Sequence, residues 1–132
     1  MLPENASILL IDDEADMCWA VKRILTGKGY QVTMVDTGLQ AMEHVQCKHY
    51  PLIFLDAKLP DVEGLQLAER IKQIFPDTHI IFLTGYYYRD DPVITTALSK
   101  GIIDGFIAKP FKNEDVLNVL IPLANQFYAH NP

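Results

Sequence analysis

The chain has 132 residues, 49% of them hydrophobic and 21% charged, which suits one domain at roughly 150 residues per domain and excludes a disordered or fibrous polymer. Eleven Lys and Arg against seventeen Asp and Glu leave a formal charge of −6. That sign argues against direct contact with nucleic acid or with an anionic membrane surface.

The first apolar run is Ser7-Ile8-Leu9-Leu10-Ile11, continuous enough to suit a strand buried on both faces of a parallel sheet. Met17, Ala20, Val21, Ile24 and Leu25 then recur at helical spacing, and Gly27 and Gly29 close that helix. The unit repeats four times. Tyr30 to Val35 is a strand before a helix carrying Leu39, Met42 and Val45, and Pro51 to Leu55 a strand before Leu65, Ala68, Ile71 and Phe75. His79 to Leu83 precedes Val93, Ala97 and Leu98, and Ile102 to Ala108 precedes Val116, Leu120, Leu123 and Phe127. Five strands alternating with five helices predict a doubly wound α/β fold, a five-stranded parallel sheet covered on both faces. Pro122, about ten residues into the last helix, removes a backbone donor and predicts a kink or an early stop.

Cys18 and Cys47 form neither a disulfide framework nor a C-x-x-C motif and read as free thiols of a reducing compartment. His44, His49, His79 and His130 are scattered without ligand spacing, which argues against a zinc site. The run from Ile8 to Ile11 is too short for a signal-peptide core or a membrane span, so the expected location is the cytoplasm.

In open α/β sheets ligands bind beyond the carboxyl ends of the strands. Asp12 and Asp13 follow the first apolar run, Asp56 the third, Thr84 the fourth and Lys109 the fifth. Clustered carboxylates repel one another and any phosphate, so they require a cation, and an all-oxygen ligand set favours Mg²⁺. With the acids neutralised, a phosphoryl group can be held by the metal, Lys109 and Thr84 while Asp56 attacks it in line. The turn after the first strand is acidic and lacks glycine, which excludes both a dinucleotide-binding turn and a P-loop.

Asp12-Asp13, the segment from Asp56 to Gly64 (DAKLPDVEG), Thr84-Gly85 and the segment from Phe106 to Phe111 (FIAKPF) together resemble the receiver domain of bacterial two-component response regulators. The resemblance covers residues 5 to 128 and implies a single domain, with flavodoxin-like strand order 2-1-3-4-5. It implies that Asp56 accepts a phosphoryl group from a histidine kinase phosphohistidine or a phosphotransfer protein. Asp12, Asp13, Asp56 and the backbone carbonyl of Lys58 would hold Mg²⁺, and Thr84 and Lys109 would bind phosphoryl oxygens. Phe106 would swing with Thr84 as the switch, and the Lys109-Pro110 bond is similar to one that family members hold cis. The expected partners are that kinase, a downstream effector domain or protein, and a second copy in a phosphorylation-dependent homodimer. The segment around Trp19 looks like those of receivers attached to transcriptional regulators.

Glu14 and Asp16 read as acids favoured at a helix N-terminus. Trp19 lies off the apolar stripe, and partner contact and partial burial both remain open for it. Tyr86 opens a run of three tyrosines beside the site and is a candidate gate that slows water attack on a phosphoryl group; Lys58 is a candidate influence on the same step. Two other functions use the same residues: a Mg²⁺-dependent phosphohydrolase with an aspartyl-phosphate intermediate, and a docking module that is never phosphorylated. A haloacid-dehalogenase-like hydrolase wants a second acid two residues after its nucleophile, where this chain has Lys58. The chain is expected to be a stand-alone receiver or one excised from a larger regulator.

Overall fold

Each strand of a parallel sheet sends alternate side chains to opposite faces, so a run such as Ser7 to Ile11 is stable only if helices cover both. The structure, a computed structural model, describes residues 6–85, 91–109 and 111–130, with side chains described as far as residue 122. The elements in chain order are β1 (Ser7–Ile11), α1 (Ala15–Gly27), β2 (Gln31–Val35), α2 (Gly38–Cys47), β3 (Leu52–Asp56) and α3 (Gly64–Ile74). They continue with β4 (His79–Thr84), α4 (Pro92–Ser99), β5 (Gly105–Ala108) and α5 (Asn113–His130). The sheet is parallel with order β2-β1-β3-β4-β5, the flavodoxin-like arrangement expected from the sequence.

Period-two alternation divides the core cleanly. Leu9, Ile11, Ile53, Leu55, Ile80 and Phe82 face α2, α3 and α4, where Met42, Val45, Leu67, Ile71, Ile94 and Ala97 close the layer. Ile8, Leu10, Leu52, Phe54, Ile81 and Leu83 face α1 and α5, against Val21, Leu25, Val116 and Leu120. Strand β3, at the centre, is buried along its whole length and carries Asp56 at its end.

Several expected details shift. Cys18 joins Val21 and Leu25 on the buried face of α1, whereas Ala20 is exposed. Leu39 is 67% exposed in the first turn of α2, and Val93 and Leu98 are exposed because α4 presents Ile94 and Ala97 to the core instead. The spacing rules identified these helices and most of their buried residues, among them Val21, Leu25, Met42, Val45 and Ala97, but misplaced the stripe's flanking members. Strand β5 begins at Gly105 and not at Ile102: the amides of Ile102 and Ile103 both bond the Ala97 carbonyl, closing α4 through Gly101 at φ +72°. An apolar run cannot tell such a buried turn from a strand. Helix α5 continues past Pro122 to His130 without the early stop, and the side chains of Leu123 and Phe127 lie outside the described residues. Among the described residues, no helix is long and apolar enough to cross a membrane.

Candidate functional site

Parallel strands end at a common edge, and the polar residues that terminate the apolar runs converge there. Register holds them level: Asp56 pairs with Leu83 across β3 and β4, and Thr84 with Ala108 across β4 and β5. The amide of Lys109 donates to the Thr84 carbonyl at 2.7 Å, and that of Ala57 to the Leu83 carbonyl at 2.9 Å. Asp12, Asp56 and Thr84 are buried, while Asp13 stands at the solvent edge. Carboxylate oxygens of Asp12, Asp13 and Asp56 all lie within 4.8 Å of one another.

The Lys109 ammonium reaches into this cluster. Its Nζ is 3.0 Å from Asp12 Oδ2, 3.1 Å from Glu14 Oε1 and 3.5 Å from Asp56 Oδ2. The other oxygens have backbone donors: Asp12 Oδ1 accepts from the Glu14 amide at 2.9 Å and Asp56 Oδ1 from the Lys58 amide at 3.2 Å. Asp12 Oδ2, although beside the ammonium, is buried and makes no directed hydrogen bond. A buried carboxylate oxygen with a spare lone pair, in a set of oxygen donors of net negative charge, fits a hard divalent cation.

Burial and the neighbouring Asp12 charge push the Asp56 carboxyl up to about 7, against only partial relief from the Lys58 amide and Lys109. For Lys109, burial pulls its pKa down, but the close carboxylates of Asp12 and Glu14 outweigh this and hold it above the ordinary lysine value. More carboxylate charge than the lysine can neutralise is therefore held in the pocket. The cavity over these groups, about 330 Å³, is lined by Asp13, Glu14, Asp56, Lys58, Thr84 and Lys109.

A profile of the response regulator receiver domain matches residues 8–121. The chain belongs to that family. This receiver is 32% identical over 110 residues to the transcriptional regulatory protein ZraR of Klebsiella oxytoca, a match covering 83% of the chain and 24% of that protein. It is 30% identical over 112 residues to sporulation initiation phosphotransferase F of Bacillus subtilis, covering 85% and 88% respectively. Among solved structures, a CheY-like receiver domain protein from Methanospirillum hungatei superposes with a TM-score of 0.83 at 25% identity, over 96% of this chain and 98% of that one. A two-component response regulator from Clostridium difficile gives 0.82 at 27% identity, over 92% and 98%. The receiver spans about a quarter of the ZraR regulators and about half of the DltR regulators it matches.

The remaining expected residues fall as follows. Phe106, half-buried, pairs in register with Phe82 and packs on the core under α2, α3 and α4. Lys58 exposes its side chain and forms an antiparallel bridge with Glu63. Tyr86 and Pro110 lie outside the described residues. Trp19 is 60% exposed, with the Arg23 guanidinium 5.6 Å from its ring centroid. Sequence reasoning missed Glu14, assigned only to the helix dipole; it is the N-cap residue of α1, makes no side-chain cap and turns to Lys109 instead. Gly64 was also missed: a Cβ there would overlap the Asp56 carbonyl oxygen and stand 2.9 Å from that of Ala57.

Proposed function

We propose that this receiver accepts a phosphoryl group onto Asp56 from the phosphohistidine of a histidine kinase or phosphotransfer protein. The observation that carries the proposal is the placement of Asp56: buried at the end of the central strand, with Asp12 and Asp13 oxygens within 4.8 Å and Lys109 Nζ at 3.5 Å. Asp12, Asp13 and Asp56, with the Lys58 carbonyl, would hold Mg²⁺. The bound cation would neutralise the excess carboxylate charge and draw phosphoryl oxygens into the pocket.

Asp56 attacks the phosphorus as its carboxylate. The new oxygen–phosphorus bond forms as the phosphorus–nitrogen bond breaks; the ring nitrogen keeps that electron pair, and the imidazole, protonated on its other nitrogen, leaves neutral. Lys109 exchanges carboxylate partners for phosphoryl oxygens, and the Thr84 hydroxyl approaches from the end of β4. The product adds about −1.5 to −2 charges at one point, enough to bias a two-state equilibrium. Because Thr84 and Phe106 lie on adjacent strands, the face formed by α4, β5 and α5 responds. That face then recruits an effector domain, an effector protein or a second copy of the chain. The receiver thus serves signalling in the cytoplasm, and the only reactions it promotes are its own phosphorylation and dephosphorylation, with Tyr86 and Lys58 setting the lifetime of the phosphoryl group.

The test is incubation with Mg²⁺ and acetyl phosphate or beryllofluoride. With acetyl phosphate one phosphoryl mass should be gained, and not gained in Asp56→Asn; with either reagent the amide NMR signals of Thr84 and Phe106 should shift. Unmoved signals and an unchanged mass would overturn the proposal.

A further inference from the structure

The loop between β3 and α3 leaves directly from Asp56. Its base is closed by the Gly64 amide, which donates to the Ala57 carbonyl at 2.9 Å, and by the bridge between Lys58 and Glu63. Its tip is held by a different element. Asp61 Oδ1 accepts from the Gly38 amide at 2.8 Å and Asp61 Oδ2 from the Leu39 amide at 3.0 Å. Both amides open α2 and have no partner within the helix, and a negative charge is favoured at that end. The two bonds hold the Asp61 carboxyl below the ordinary carboxylate range.

Helix α2 does not depend on Asp61 for a cap. Thr37 supplies one from its own strand connection, its hydroxyl accepting from the Gln40 amide at 3.1 Å. The bonds from Asp61 therefore add a cross-link between two loops rather than the helix's basic cap. A steric contact runs beside them: a Cβ on Gly38 would overlap Val62 Cγ1, and Val62, β-branched and packed on the core, has little rotamer freedom to yield.

We infer that Asp61 is a positioning residue, which anchors the loop tip to α2 and so holds Lys58 and Asp56 in the arrangement that takes a divalent cation. The inference rests on the receiver reading above and adds to it a residue outside the cation's own ligand set. A groove lined by Asp12, Asp13 and Trp19 places the single tryptophan beside the acids, so its fluorescence offers a readout of Mg²⁺ binding that is independent of phosphorylation.

The test is a Mg²⁺ titration of the full chain, followed by calorimetry and by Trp19 fluorescence, for Asp61→Ala, Asp61→Asn, Gly38→Ala and Thr37→Ala. Loss of a residue that orients ligands from outside the coordination shell weakens metal affinity about tenfold or more. Asp61→Ala and Gly38→Ala, which attack the contact from its two sides, should each show about that loss, and Asp61→Asn, which keeps an acceptor, should recover most of it. Thr37→Ala, which weakens only the local cap of α2, should leave the affinity unchanged. Unchanged affinity in both Asp61→Ala and Gly38→Ala overturns the inference. So does an equal loss in Thr37→Ala, which would assign the effect to α2 stability alone. A wild-type chain that bound no Mg²⁺ and took no phosphoryl group would bring down the receiver reading itself.

Discussion

Asp12 Oδ2 and Lys109 Nζ stand 3.0 Å apart at the end of the sheet, the carboxylate wholly buried and the ammonium nearly so. They belong to β1 and β5 ends, which are not neighbours in the sheet. The lysine therefore ties the acids across the intervening strands, and its removal leaves buried negative charge uncompensated. Lys109→Met should destabilise the chain by about 3 kcal/mol at pH 8 in Mg²⁺-free buffer. Urea unfolding at pH 8 and at pH 5.5 checks this, with a smaller loss expected at the lower pH, where Asp56 is protonated.

Asp56 should lower stability when it ionises. Its carboxyl sits at about 7 in the folded chain and at 3.8 in the unfolded one, so between those values the folded state binds more protons. Stability contributed by this group is complete below about pH 4 and falls as pH rises to 7. Asp56→Asn should therefore stabilise the metal-free chain at pH 8 by about 1–2 kcal/mol and change little near pH 4. Mg²⁺ should raise the thermal midpoint of the wild type much more than that of the variant.

Asp104 should act in the opposite direction and at a different pH. Burial alone would raise its carboxyl, but bonds involving His79, Lys72 and the Ile80 amide hold it at about 2. Lys72 Nζ and the Ile80 amide both donate to Oδ2 at 2.8 Å. A depressed value means stability that is present above about pH 4 and lost as pH falls toward 2. Asp104→Asn should cost about 2 kcal/mol at pH 7 and flatten the acid limb of a stability–pH profile.

The two thiols should separate by reactivity. Burial, followed by the Asp12 charge, raises the Cys18 thiol to about 12, and its Sγ donates to the Asp12 carbonyl at 3.3 Å. Cys47 is exposed. At pH 8 Ellman's reagent should titrate one thiol rapidly and the second at least about a hundredfold more slowly, with urea merging the phases. Cys47→Ser should abolish the fast phase.

Much of this site was legible because Asp12, Asp56, Thr84 and Lys109 each end an apolar run. A residue that follows a buried parallel strand must emerge at the carboxyl edge, so Asp12, Asp56, Thr84 and Lys109 could be placed together from spacing alone. Glu14 was not legible, because its role depends on an ammonium 95 residues away that outcompetes the capping use its position suggests. Asp61 and Gly64 were quoted only as parts of a motif, since what each touches is backbone, which no side-chain pattern records.

The sequence by itself determined the alternation of strand and helix, the burial of the sheet on both faces and the set of residues at its edge. These follow from local periodicity and from where polarity interrupts it. Only the tertiary structure decided that Cys18 and not Ala20 turns inward on α1 and Ile94 and not Val93 on α4, where β5 begins, and which donor each carboxylate meets. The margins of a helix's buried face and the ends of a strand are set by packing against neighbours, and a buried charge takes the partner that close approach supplies. Both are properties of contacts between segments distant along the chain.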